Sequence, residues 1–134
     1  MNSYVFDSYA VLAMFRKEQG HEIVTALLTE ISAGKSAGYI CTVNIGEVYY
    51  ITARKQGAER AQLAMHALMH FPLQRVVADL DLCLAAAELK SRFTMSYADA
   101  FAAALTQQMK ATLVTGDKEF RAMTGEPNFK VKFI

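Results

Sequence analysis

Four acidic residues attract attention because each stands where an apolar run gives way to a helical pattern. Asp7 closes "SYVFD" (3–7), Glu47 lies in "NIGEVYY" (44–50), Asp99 in "SYADAF" (96–101), and Asp117 follows "TLVTG" (112–116). Singly, each has a plain structural use. Asp7 and Asp117 can cap helices, while Glu47 with Asn44 and Asp99 with Ser96 have the spacing of capping boxes, worth about 1 kcal/mol apiece. Brought together, they need another explanation, because two carboxylates about 4 Å apart repel by roughly 4 kcal/mol at an effective dielectric near 20. Such a cluster raises its own pKa values unless protons or a cation relieve it. The set offers oxygen donors, with Ser8 and Thr115 as hydroxyl neighbours and neither imidazole nor thiolate, which favours Mg²⁺ or Mn²⁺ over zinc. A divalent ion so held polarises a phosphoryl oxygen and activates water, so the expected chemistry is phosphodiester hydrolysis, with one ion or two.

Other chemistries find less support. His66 and His70 sit four apart in "HALMH", but no Glu follows the first His as a helical zinc-protease motif requires, so the pair reads as surface. His21, beside Glu22, has no partner identifiable from sequence. No glycine-rich phosphate cradle is present, and Asp7 is followed by Ser8 and Tyr9 rather than by a second Asp two residues on, which argues against an aspartyl-phosphate enzyme. Cys41 and Cys83 stand in no metal-ligand spacing and read as buried, reduced thiols.

For the four acids to act together, the chain must gather them. Its 134 residues suffice for one domain spanning 1–134, and 53% apolar against 20% charged composition is far from that of a disordered chain. Short runs rich in β-formers, "SYVFD", "YICTV", "LQRVV", "ATLVT" and "NFKVKFI", alternate with helical patterns. Ile23, Leu27 and Ile31 mark one helix, "SAGKSAG" the loop after it, and "NIGEVYYITARKQ" and "AERAQLAMHALMHF" a helical pair. "DLDLCLAAAELKSRF" and "SYADAFAAALTQQMK" form a second pair, and "DKEFRAM" contributes a turn or two. Strands separated by helices predict an α/β sandwich around a mostly parallel sheet of four to five strands, with "NFKVKFI" at an edge. In such a sheet the C-terminal ends of strands and the N-termini of the following helices share one rim. Asp7, Glu47 and Asp117 map to that rim directly. Asp99 reaches it because its helix runs antiparallel to the strand that follows. The opening residues carry neither a basic leader nor an unbroken apolar span, so the expected location is cytoplasmic, without a membrane segment.

The order and spacing of these acids resemble the PIN domain, most closely the VapC-type toxins of toxin–antitoxin pairs. "YVFDSYAVLAMF" is similar to that family's opening strand and first Asp, "VNIGEVYY" to its Glu-bearing helix, "SYADAFAAAL" to its third-acid segment and "LVTGDKEF" to its fourth. The resemblance covers the whole chain and departs at Tyr9, where many relatives carry a small polar residue. It implies a PIN-like three-layer α/β/α sandwich in which Asp7, Glu47, Asp99 and Asp117 coordinate Mg²⁺ or Mn²⁺, supported by Ser8 and Thr115. It also implies a ribonuclease acting on structured RNA, a small VapB-like antitoxin whose tail covers the cleft, and a homodimer. "LAMHALMHF" and "VYYITA" are candidate interface segments, with core as their other reading. Two further readings stand beside the toxin: a PIN-like nuclease of RNA processing or DNA repair, and an inactive binding module.

The net charge of +1 falls short of a dedicated nucleic-acid binder, but neutralising four of the 13 acids leaves a balance of +5. Lys118 and Arg121, just beyond Asp117, and Arg92, just before Ser96, are the candidate phosphate contacts, a solvated rim being the alternative. Arg54, Lys55 and Arg60 read as ordinary exposed charge.

Overall fold

A computed structural model describes all residues 1–134. The strands β1 (Asn2–Phe6), β2 (Ser36–Cys41), β3 (Gln74–Val76), β4 (Thr112–Thr115) and β5 (Lys130–Phe133) form one sheet in the order β3-β2-β1-β4-β5. Every pairing is parallel, and Val5 lies opposite both Tyr39 of β2 and Leu113 of β4. The helices are α1 (Ser8–Arg16), α2 (His21–Ser32), α3 (Thr42–Gln56), α4 (Ala58–Met69), α5 (Leu80–Arg92) and α6 (Tyr97–Met109), with a 3₁₀ turn over Lys118–Met123. Exposed Lys130 and Lys132 on β5, and Gln74 and Arg75 on β3, put polar side chains on both edges, where they oppose pairing with a foreign strand.

Side-chain alternation along the strands divides the interior in two. Val5, Cys41 and Leu113 face one way, into a core shared with Leu82, Ala86 and Leu89 of α5 and Phe101 and Leu105 of α6. Phe6, Ile40 and Val114 face the other way, against Val11 of α1, Val24 and Leu28 of α2, Val48 of α3 and Leu68 of α4. The expected three-layer α/β/α arrangement follows. Helix α6 is buried continuously from Ala100 to Thr106, which small alanines permit because they let neighbouring backbones approach on every side.

Several sequence expectations shift. Strand β2 begins at Ser36, so only Ala33–Lys35 remain of the expected loop. In α2 the inward stripe is Val24, Leu27, Leu28 and Ile31, and Ile23 is exposed. Cys41 and Cys83 are free thiols, but only Cys41 is buried; Cys83 is half-buried on α5. The expected Asn44–Glu47 capping box does not form. The helix starts three residues earlier, at Thr42, and its N-cap, Cys41, makes no side-chain bond. The Thr42 hydroxyl instead accepts from the Ala78 amide, fastening α3 to the segment before α5.

Candidate metal centre at the switch point of the sheet

β1 is flanked by β2 on one side and β4 on the other, so the chain winds outward from the β1/β4 pair in both directions. At such a reversal the loops leaving the strand ends diverge and leave a crevice. Asp7 follows β1 at this crevice and Asp117 follows β4. The two junctions are tied together: the Asp7 amide donates to the Val114 carbonyl at 3.5 Å. On the β4 side, the Thr115 hydroxyl accepts from the Asp117 amide at 3.0 Å.

Asp7 caps α1, its Oδ1 accepting from the Ala10 amide at 2.9 Å, and only 1% of its surface is exposed. Burial pushes its carboxyl up to about 7; the Thr115 hydroxyl and Ala10 amide pull the other way, while the Asp99 and Glu47 charges add to the rise. Asp99 enters in the first turn of α6, where its amide donates to the hydroxyl of the N-cap Ser96 at 3.1 Å. Its carboxyl is raised to about 6, first by burial and then by Asp117, with Glu47 and Glu119 contributing further. Glu47 stands in the second turn of α3, half-buried, and accepts a short hydrogen bond from the Ser8 hydroxyl. Asp117 caps the 3₁₀ turn, its Oδ1 accepting from the Glu119 amide at 2.9 Å. One carboxylate oxygen from each of Asp99, Asp117 and Glu119 lies within 4.8 Å of the others.

The capping and clustering roles therefore coincide. Asp7, Asp99 and Asp117 each belong to a capped helix start, as their local sequence predicts, yet the starts face one crevice. Glu119 is a fifth acid that sequence reasoning missed. Its signal was the spacing in "GDKEF": a turn capped by Asp117 carries the side chain two residues on back toward the cap. Asn44, read as a cap, is instead fully buried and donates from Nδ2 to the Ala98 carbonyl at 3.2 Å. It thus ties the helix of Glu47 to the turn that carries Asp99, while its own Oδ1 lacks a partner.

The oxygen-only donor set and two carboxyls raised first by burial and further by neighbouring acids suit a hard divalent cation. Around the crevice, Lys118 and Arg121 are exposed next to Asp117, and the Arg121 guanidinium lies 5.6 Å from the Phe133 ring centre. Arg92 differs from both. It is held between Glu88, 2.6 Å from its Nε, and Glu126, and these partners already compensate its charge. His66 and His70 are exposed on and just beyond α4, with the His70 Nδ1 2.8 Å from the His66 carbonyl oxygen.

Away from the acids, a groove of about 380 Å³ runs between α1, α3 and α4. Leu12, Phe15, Thr52 and Leu63 line it, together with Arg16 and Arg60. No helix is long and apolar enough to cross a membrane.

Similar folds occur among solved structures. VapBC2 from Rickettsia felis, bound to a DNA fragment from its promoter, matches at TM-score 0.74 and 19% identity over 98% of each chain. DNA-bound VapBC from Salmonella typhimurium matches at 0.73 and 14% identity, over 99% of this chain and 98% of the other. Mycobacterium tuberculosis VapC20, a toxin cleaving the sarcin–ricin loop, matches at 0.72 and 18% identity, over 90% of this chain and 95% of the other. Comparison with curated protein sequences finds no match. The PIN-domain model matches residues 4–126, and the chain accordingly belongs to the PIN-domain family.

Proposed function

We propose that this protein is a divalent-metal-dependent endoribonuclease, the toxin of a type II toxin–antitoxin pair. The reading is supported by the acids at the β1/β4 switch point: Asp99, Asp117 and Glu119 bring oxygens within 4.8 Å of one another, and the Asp99 and Glu47 charges add to the burial that raises Asp7. Folding tolerates such a cost when a ligand repays it.

Asp7, Glu47, Asp99 and Asp117 would hold Mg²⁺ or Mn²⁺, with Glu119 beside Asp99 and Asp117. The bound ion would supply charge neutralisation at a phosphate oxygen and an activated water. The chain's own residues set the site. The Ala10 amide and Thr115 hydroxyl hold Asp7 toward its charged form, and Ser8 orients Glu47. Asn44 fixes α3 against the Asp99 turn. Lys118 and Arg121, exposed beside Asp117, would contact phosphates of the substrate; Arg92 would serve this less well, because Glu88 and Glu126 occupy it.

Support for an antitoxin partner comes from the groove between α1, α3 and α4. Its apolar lining suits the apolar face of a helix, and Arg16 and Arg60 beside that lining suit an acidic residue of the incoming segment. A homodimer has support from exposed apolar side chains: in the segments expected to form it, Val48, Thr52 and Leu68 are core while Tyr49, Tyr50, Leu63 and Met69 are exposed, and Val77, Leu80 and Leu84, before and at the start of α5, leave 69%, 71% and 60% of their surface exposed. We place the protein in the cytoplasm, where RNA and a co-expressed antitoxin would meet it.

The test is incubation of purified protein with total RNA, with and without Mg²⁺, and mapping of new ends. Discrete metal-dependent cuts, lost in Asp7→Asn and Asp99→Asn variants that remain folded, are expected. Cleavage that persists in both folded variants would refute the site.

A further inference from the structure

We infer that Tyr9 is the platform on which an unpaired base of the RNA stacks beside the acid crevice; this rests on the ribonuclease reading and adds to it the residue that touches a base. Tyr9 is the second residue of α1, two positions after Asp7 and next to Ser8, so its Cα is fixed by the same cap that positions the crevice. Its ring crosses from the β1 junction to the β4 junction and rests on Gly116, between Thr115 and Asp117. A Cβ at residue 116 would lie 2.1 Å from the ring Cε1 and 2.6 Å from Cδ1 and Cζ. Glycine stands there to let the ring approach the backbone, so the tyrosine is seated rather than free to swing.

Tyr9 is nevertheless 47% exposed. Two other exposed tyrosines are engaged differently. Tyr97 has its hydroxyl on the Cys83 carbonyl and its ring 4.8 Å from that of Phe101, while Tyr50 lies under the Arg54 guanidinium at 5.1 Å. Tyr9 combines an open aromatic surface, a rigid seat and proximity to Asp7 and Asp117. A pre-seated ring loses little entropy on stacking, and base–aromatic stacking contributes about 1–3 kcal/mol per base without sequence selection. Exposed Lys118 on the neighbouring turn would hold the adjoining phosphate.

The experiment measures binding of fluorescein-labelled single-stranded RNA oligonucleotides by anisotropy in EDTA, where nothing is cut, with single abasic sites scanned along the strand. Tyr9→Ala is expected to weaken binding about 5- to 150-fold, the equivalent of one lost stack, while Tyr9→Phe binds as wild type. One abasic position should cost the wild type affinity and cost Tyr9→Ala nothing further. Tyr9→Leu fills the same seat without a π face and should lose affinity as Ala does. Wild-type binding by Tyr9→Leu, or an equal abasic penalty in wild type and Tyr9→Ala, would overturn the platform. Magnesium-dependent cleavage with unchanged KM in Tyr9→Ala would also overturn it and leave the nuclease standing. Absence of metal-dependent cleavage by the wild type would instead remove the nuclease reading, and the platform with it.

Discussion

Asp7 performs two tasks that pull in opposite directions. As the cap of α1 it wants a charge, and as the deepest acid of the crevice it resists one. Asn at this position keeps the capping oxygen and removes the charge, so Asp7→Asn should separate the tasks. The sign follows from linkage. The folded carboxyl titrates at about 7, above its ordinary value of 3.8, so between those pH values the native state binds more protons than the unfolded chain. Its contribution is fully present below pH 3.8 and lost as pH rises through about 7. Metal-free wild type should therefore lose stability over this window, by an amount on the order of a few kcal/mol. Asp7→Asn should lose less, and urea unfolding across the pH range in EDTA measures the difference. If the amide variant is instead less stable at pH 8, charge-assisted capping outweighs repulsion. Ser8 invites a second substitution. Removing the hydroxyl that orients Glu47 should weaken Mn²⁺ affinity about 10- to 100-fold, as loss of a residue supporting a metal ligand does, with little change in melting temperature. Titration calorimetry of Ser8→Ala gives the answer.

At the scale of elements, the crevice depends on how α3 and α6 are held. Asn44 carries a polar tie between them, and Asn44→Ala would leave the Ala98 carbonyl without its partner, at a cost of about 1–3 kcal/mol. Because the Asp99 turn then moves relative to Glu47, metal affinity should fall along with stability. A purely structural residue would lower stability alone, and paired denaturation and Mn²⁺ titration distinguish the outcomes. The sheet's second face offers a control far from the acids. A Cβ at Gly38 would come within 2.6 Å of Ile31 Cδ1 and Leu73 Cδ2, so Gly38→Ala should cost about 1–3 kcal/mol by overpacking, with metal binding by the folded fraction unchanged.

For the whole molecule, the balance of charge couples folding to metal. With the acids neutralised the surface becomes basic, so a divalent ion should both raise the melting temperature and strengthen RNA binding, the latter falling as salt is added. Asp99→Asn should blunt the thermal shift, because Asp99 lies within the reach of Asp117, Glu47 and Glu119 charges. Association belongs to the same scale. The exposed Val77, Leu80 and Leu84 stripe predicts a dimer in light scattering that Leu80→Asp with Leu84→Asp converts to monomer without loss of helicity.

The sequence by itself determined the alternation of strands and helices, the parallel layered fold, and the caps at Asp7, Ser96 and Asp117. These are local properties, set by periodicity and capping chemistry within a few residues. Two expectations depended on packing and went differently: the start of α3, where the strand ends at Cys41 and Thr42 finds its partner in Ala78, and the inward stripe of α2. Only the tertiary structure decided that Glu119 joins Asp99 and Asp117, that Asn44 bridges two helices, that Arg92 is already engaged, and that Gly116 makes room for Tyr9. Apart from the nearness of Glu119 to Asp117 and of Arg92 to Glu88, which are local, these contacts join side chains whose neighbours are fixed by strand order and helix docking, and no local pattern encodes which distant residue will stand opposite.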